Sequence, residues 1–191
     1  MSEALHKVII LTAPSGAGKT SIAAYLLKTL TQLSFSVSAT TRAPRGNEKS
    51  GVEYHFMSPS TFEGHIYQND FLEYEMVYEG VYYGTLKSEL TRIWTLGKIP
   101  VLDIDVKGAI RVQKEIGANC LSIFIVPPSI EVLKERLENR KTESAESIQM
   151  RLDKAAYEIS FSNQFNAIIQ NNDLALACSE TEKLITDFLQ K

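Results

Sequence analysis

The run Lys7 to Thr12 (KVIILT) leads directly into Ala13-Pro14-Ser15-Gly16-Ala17-Gly18-Lys19-Thr20, and this junction constrains the fold more than any other part of the chain. A short apolar run rich in β-branched residues and closed by a Pro/Gly turn reads as a strand buried on both faces of a parallel sheet. Beyond the turn, Ser21 to Leu33 places Ile22, Tyr25, Leu26 and Leu30 at helical spacing. Strand, glycine loop and helix in this order open a βαβ unit. The loop's own chemistry is equally restrictive. Gly16 and Gly18 let the backbone curl so that successive N–H groups point into an anion-sized concavity. A helix beginning near Lys19 adds the positive end of its dipole at the same spot. Lys19 can reach the β- and γ-phosphates of a nucleoside triphosphate, and the Thr20 hydroxyl, next to Ser21, is placed to ligate Mg²⁺. The pattern departs from the strict G-x-x-x-x-G-K-[ST] form at its first position, Ala13, where alanine is the smallest substitute. The bland alternative, a flexible Gly/Ser turn, is disfavoured by the strand before it and the helix after it. The loop states triphosphate binding and leaves open what happens to the triphosphate.

Further core strands are expected at Ile99 to Asp103, Cys120 to Val126 and Ala167 to Gln170, each followed by a helix: Gly108 to Glu115, Ser129 to Asn139, and Ser179 to Gln190. Ser179 with Glu182 has capping-box spacing and predicts a helix start there. The stretch Ser34 to Tyr83 reads differently, with short alternating segments such as Phe71 to Tyr78, one short helix near Ser60 to Asn69, and six of the eight tyrosines. The expected fold class is therefore α/β: a central parallel sheet flanked by helices, carrying an inserted mixed, partly antiparallel subdomain. At 191 residues the chain fits one domain, and 44% hydrophobic residues suffice for a core without disulfides or a structural metal. The formal charge of −3, with both signs intermixed, excludes the basic stripe of a nucleic-acid binder. Cys120 and Cys178 have neither metal-type nor redox spacing and read as reduced thiols. Met1 to His6 is polar, and no apolar run has membrane-spanning length, so a soluble, cytoplasmic protein is expected.

Val101-Leu102-Asp103-Ile104-Asp105 is an apolar strand ending in carboxylates, and Asp103 is the candidate for holding the Mg²⁺ shell through water. Two aspartates also commonly just end a strand; Lys19 and Thr20 on a neighbouring strand favour the metal reading. In Ser36-Val37-Ser38-Ala39-Thr40-Thr41-Arg42-Ala43-Pro44-Arg45-Gly46, two arginines three apart on an extended loop can converge on one phosphate. Their guanidinium forks bind phosphate bidentately and keep their charge.

At this point the chain resembles the guanylate kinases over nearly its whole length. Seven blocks of that family occur in order: A-P-S-G-A-G-K-T, S-V-S-A-T-T-R-A-P-R, G-V-E-Y-H-F, F-L-E-Y, Y-Y-G-T, L-D-I-D-V-K-G and R-L-E-N-R-K-T-E-S. The resemblance implies a P-loop NTPase fold and an ATP:GMP phosphotransferase of purine metabolism, acting on GMP and also dGMP, with Mg²⁺. It implies that Ser38, Arg42, Arg45, Tyr54 and Tyr83 grip the GMP phosphate, and that Glu73, Thr85 and Asp105 read the guanine. It implies a helical lid over 129–160, an acceptor subdomain over 34–85, and a core of 1–33, 86–128 and 161–191. Arg136 and Arg151 would neutralise the phosphoryl group in flight, Arg140 would pack on the adenine, and Asn171 falls where the family contacts adenine. The family has glycine after that last arginine, where this chain has Lys141. The chemistry of Glu73 agrees independently: a carboxylate accepts two hydrogen bonds from the N1–H and N2 amino edge of guanine, whereas adenine presents a bare N1 acceptor.

Three other readings compete. A kinase of a base-free acceptor such as ribose 1,5-bisphosphate would not need Glu73, Thr85 and Asp105. A guanylate-kinase-like phosphopeptide-binding module would not keep Gly16, Gly18, Lys19 and Thr20. A plain ATPase leaves the Arg42/Arg45 pair unexplained.

Overall fold

The computed structural model describes residues 6–139 and 144–191. Its strands are β1 (Val8–Thr12), β2 (Leu33–Phe35), β3 (Ala39–Thr40), β4 (His55–Phe56), β5 (Phe71–Tyr78), β6 (Val81–Leu86), β7 (Ile99–Asp103), β8 (Cys120–Val126) and β9 (Ala167–Gln170). Its α-helices are α1 (Lys19–Thr29), α2 (Pro59–Tyr67), α3 (Lys87–Thr95), α4 (Val106–Ile116), α5 (Ile130–Glu138), α6 (Ala145–Ile159) and α7 (Leu174–Leu189).

A five-stranded sheet runs in the order β2-β7-β1-β8-β9 with every neighbouring pair parallel. β1 is buried along its whole length, which is why its sequence is a continuous apolar run and not an alternating one. Alternate residues feed two cores. Ile9, Leu11, Ile123 and Ile125 meet Ile22 and Leu26 of α1 and Ala177 and Ile185 of α7. Val8, Ile10, Leu102 and Phe124 meet Leu90 of α3 and Ala109 and Val112 of α4. The chain therefore has the expected α/β architecture, with helices on both faces of a parallel sheet.

Two element boundaries differ from the sequence expectation. The helix after the loop ends at Thr29, where the Leu30 N–H closes on the Leu26 carbonyl. Leu33 is instead the first residue of β2, paired with Ile99 and almost fully buried. Helical spacing alone could not see this, since an apolar residue one turn further on serves either element. β2 also carries Ser34 and Phe35 into the parallel sheet. The last helix starts at Leu174, capped by Asp173, whose side chain accepts the Leu176 N–H at 2.9 Å. Ser179 and Glu182 fall inside it, where the N–H groups a capping box would serve already have helical partners.

A four-stranded mixed sheet, β4-β3-β6-β5, is inserted between β2 and α3. It has its own small core: Phe62 of α2 is fully buried and stacks on Phe71 and Tyr82 at 4.3 and 5.3 Å between ring centroids. α5 and α6 form a helix pair around Leu133, Leu137, Ile148 and Leu152. Cys120 and Cys178 are free and buried, and burial pushes the Cys120 thiol up to about 12, so it stays protonated and unreactive. No helix among the described residues is long and apolar enough to cross a membrane.

Replacing fully buried Ile10 leaves a cavity between β1 and α4, whereas Leu174 is 46% exposed. Ile10→Ala is expected to lower the unfolding free energy by about 2–5 kcal/mol, and Leu174→Ala to stay within about 0.5 kcal/mol of wild type, as read by urea denaturation.

Candidate functional site

A cleft of about 870 Å³ opens at the carboxyl ends of β1 and β7, between the two sheets and α6. Carboxyl ends of parallel strands are where such sheets bind ligands. One wall is the loop Ala13 to Ser21, of which all but Ala17 line the cleft. Gly16 and Gly18 have φ of +93° and +98°, a region that residues with a Cβ rarely enter. A side chain at Gly16 would also strike Leu133 and Leu137 of α5, at 3.0 and 3.3 Å. The glycines thus serve both the curl of the loop and the close approach of the helix pair. Gly18 is the N-cap of α1 and no side chain caps that helix, so its positive end faces the cleft.

The register Leu11↔Asp103 sets Asp103 beside the end of β1, where it is ion-paired with Lys19. Thr20 is exposed and lines the same cleft. A hydroxyl and a carboxylate are hard oxygen donors, the set Mg²⁺ uses when one or two protein ligands are completed by water and substrate phosphate. No cluster of three or more His, Cys, Asp or Glu among the described residues forms an all-protein metal cage.

The opposite wall is built by the mixed sheet. The β5–β6 register sets Thr85 opposite Glu73, and the Thr85 hydroxyl donates to Glu73 Oε1 at 2.7 Å. Both side chains are buried. Asp105 caps α4, its Oδ1 accepting the Gly108 N–H at 2.7 Å. The Glu73 carboxylate lies over the same turn: a Cβ on Gly108 would stand 2.7 Å from Glu73 Oε2 and 3.1 Å from Asp105 Oδ1. Burial, with the nearby Asp105 carboxylate adding to it, raises the Glu73 pKa to about 7 against the pull of the Thr85 hydrogen bond.

Ser38, Tyr54 and Tyr83 line the cleft beside this pair. Arg42 stands behind Tyr83, donating to its hydroxyl at 3.2 Å, with its guanidinium 5.1 Å from the Tyr54 ring centroid. The fork is held bidentately by Glu48 at 2.8 and 3.0 Å. Arg45 is exposed, and its backbone N–H donates to the same carboxylate at 2.7 Å. Glu48, brought down to about 2 by Arg42 foremost, is a residue that sequence reasoning missed. Its signal was present, three positions beyond Arg45 as Arg45 is three beyond Arg42.

Arg151 of α6 lines the cleft and donates to Ser15 Oγ at 2.7 Å, touching the phosphate loop. Lys154 and Glu158 continue the same face of that helix into the cleft and were also missed. Arg136 of α5 donates to the Asn171 carbonyl at 3.1 Å. Asn171 itself is buried beneath the loop, 4% exposed, and its amide donates to the Ala17 carbonyl at 2.7 Å. Arg140 and Lys141 lie outside the described residues.

A glycine cradle at the end of a buried parallel strand, with a buried carboxylate on a second sheet across the same cleft, defines a P-loop nucleotide kinase architecture. A family profile described as guanylate kinase matches residues 5–188. The guanylate kinase of Bacteroides thetaiotaomicron is 49% identical over 97% of this chain and 91% of that protein. That of Porphyromonas gingivalis is 47% identical over 98% of this chain and 100% of that protein. The crystal structure of guanylate kinase from Anaplasma phagocytophilum superposes with a TM-score of 0.78 at 28% identity, covering 99% of this chain and 89% of that one. TT1252 from Thermus thermophilus, at 13% identity and a TM-score of 0.54, covers 95% of this chain and 97% of that one, and shares the fold. The chain belongs to the guanylate kinase family.

The raised pKa of Glu73 has a stability consequence. Between the ordinary value of 4.5 and about 7 the folded state holds a proton that the unfolded state has released. This group's contribution is therefore fully present below 4.5 and is lost as pH rises through about 7. Thermal melts from pH 4.5 to 8 are expected to show Glu73→Gln gaining on wild type through that window and holding a constant lead above it.

Proposed function

We propose that the chain transfers the γ-phosphoryl group of ATP to GMP, giving ADP and GDP. The observation that carries this reading is the buried Glu73, hydrogen-bonded by Thr85, which lines the same cleft as the phosphate loop. A solvated carboxylate would accept from any donor. A buried one has few partners, and the paired N–H donors of guanine match it while the adenine edge leaves it unpaired.

In this reading Ala13 to Ser21 hold the triphosphate, with Lys19 exchanging Asp103 for phosphate oxygens. Ser38, Arg42, Arg45, Tyr54 and Tyr83 hold the acceptor phosphate, and Glu73, Thr85 and Asp105 read its base. Glu48 keeps the Arg42 fork extended until a phosphate replaces or joins it. Arg136 and Arg151 neutralise the phosphoryl group in transfer, and Arg140 and Asn171 belong to the donor side. Thr20 and Asp103 would hold Mg²⁺ through water, and the ion would supply positive charge to the phosphate oxygens. The functional division follows: core 1–33, 86–128 and 161–191, acceptor subdomain 34–85, and lid 129–160.

Catalysis here is positioning and charge stabilisation. The acceptor phosphate is already an anionic nucleophile, so no general base is assigned. Closure of the α5–α6 pair over the loop excludes water that would otherwise take the phosphoryl group.

ADP release is expected with ATP, Mg²⁺ and GMP, to be near background with AMP, CMP, UMP, dTMP or ribose 1,5-bisphosphate, and to vanish in Lys19→Ala. Activity with the ribose compound alone would retain the donor site and remove the base-reading role of Glu73. Release without an acceptor would make the chain an ATPase.

A further inference from the structure

Asn171, just past β9, is held at three points. Its N–H donates to the Val126 carbonyl at the end of β8, at 2.8 Å. Its carbonyl accepts from Arg136 at 3.1 Å. Its side-chain amide donates to the Ala17 carbonyl at 2.7 Å. The amide lies directly against the loop, since a Cβ on Gly18 would stand only 2.1 Å from Nδ2. With 4% of its surface exposed, the residue is packed under the cradle and does not line the cleft.

The Ala17 carbonyl and the Gly18 N–H belong to one planar trans peptide, so they point in opposite directions. Pinning the carbonyl toward the interior turns the N–H outward, to the open side of the loop. A glycine at φ +98° has little intrinsic preference against rotating that peptide, so an external restraint is needed to keep it in one orientation.

We propose that Asn171 is a positioning residue of the phosphate loop. Its amide sets the Ala17–Gly18 peptide so that the Gly18 N–H faces the triphosphate, and its carbonyl ties Arg136 of α5 to the same point. This goes beyond a contact with the nucleotide base, and it rests on the loop being a triphosphate cradle.

The test is calorimetric titration of wild type, Asn171→Ala and Asn171→Asp with ADP and with inorganic tripolyphosphate, both with Mg²⁺, alongside kcat and the KM for GMP. Both variants are expected to bind tripolyphosphate about tenfold more weakly. The aspartate is expected to lose more, because it sets an acceptor against the Ala17 carbonyl. The KM for GMP is expected to stay within about twofold of wild type. Asn171→Asp keeps the side-chain volume and serves if the alanine variant does not fold. Unchanged tripolyphosphate affinity in a folded variant overturns the proposal, whether ADP binding falls (a base contact) or thermal stability alone falls (a packing role). Wild type binding neither ligand would instead remove the cradle reading, and this proposal with it.

Discussion

β1 is the reference point for everything in the cleft. Val8 to Leu11 are fully buried between β7 and β8, with a separate apolar core against each face. Any shift of this strand would break two hydrogen-bonded ladders and open both cores. The loop that follows therefore projects from a strand fixed on both sides; its two left-handed glycines permit the anion-sized curl, and the Asn171 amide on the Ala17 carbonyl holds it from below. The same register brings Asp103 to Lys19, so the cation that would meet a phosphate is held by a carboxylate beforehand.

The second wall works by a different balance. Glu73 is buried between a small sheet, whose own core is Ala39, Phe62 and Phe71 with Met57, Ile66, Tyr82 and Leu86 around them, and the first turn of α4. Removing a carboxylate from water is costly, and the Thr85 hydroxyl offsets part of that while Asp105 adds repulsion. The geometry depends on contacts between the mixed sheet and α4: Arg111 donates to the Tyr74 carbonyl and pairs with Glu75, and Gly108 leaves space for the Glu73 carboxylate. In the proposed function, a partner with paired N–H donors would relieve this site, and acceptor preference would then come from the site and not from the fold.

The phosphate loop and the strands β7, β8 and β9 were legible because each is a local statement: a short apolar run bounded by turn residues has few other folds open to it. Glu73 was legible only through the F-L-E-Y block of the family, since one acid on an alternating strand carries no mark of burial. Leu33 was misplaced because helix and strand both accept an apolar residue there, and pairing with Ile99, far along the chain, decides between them. Ser179 and Glu182 had the spacing of a helix start, but Asp173 caps earlier, and burial of Ala177 and Cys178 carries the helix through them. Glu48 and the three-point hold on Asn171 depend on partners whose distance in sequence says nothing about their distance in space.

The sequence by itself determined the strand–loop–helix unit, the α/β class, the cation and hydroxyl of the cradle, and the arginine loop, since backbone freedom at glycine and side-chain charge are properties of single residues. Tertiary structure decided which carboxylates lose their water, which arginine fork is paired with which acid, and that the Ala17 carbonyl of the loop is turned inward. Those outcomes depend on solvent exclusion and on close approach between segments distant in the chain, and neither is a property of any one segment.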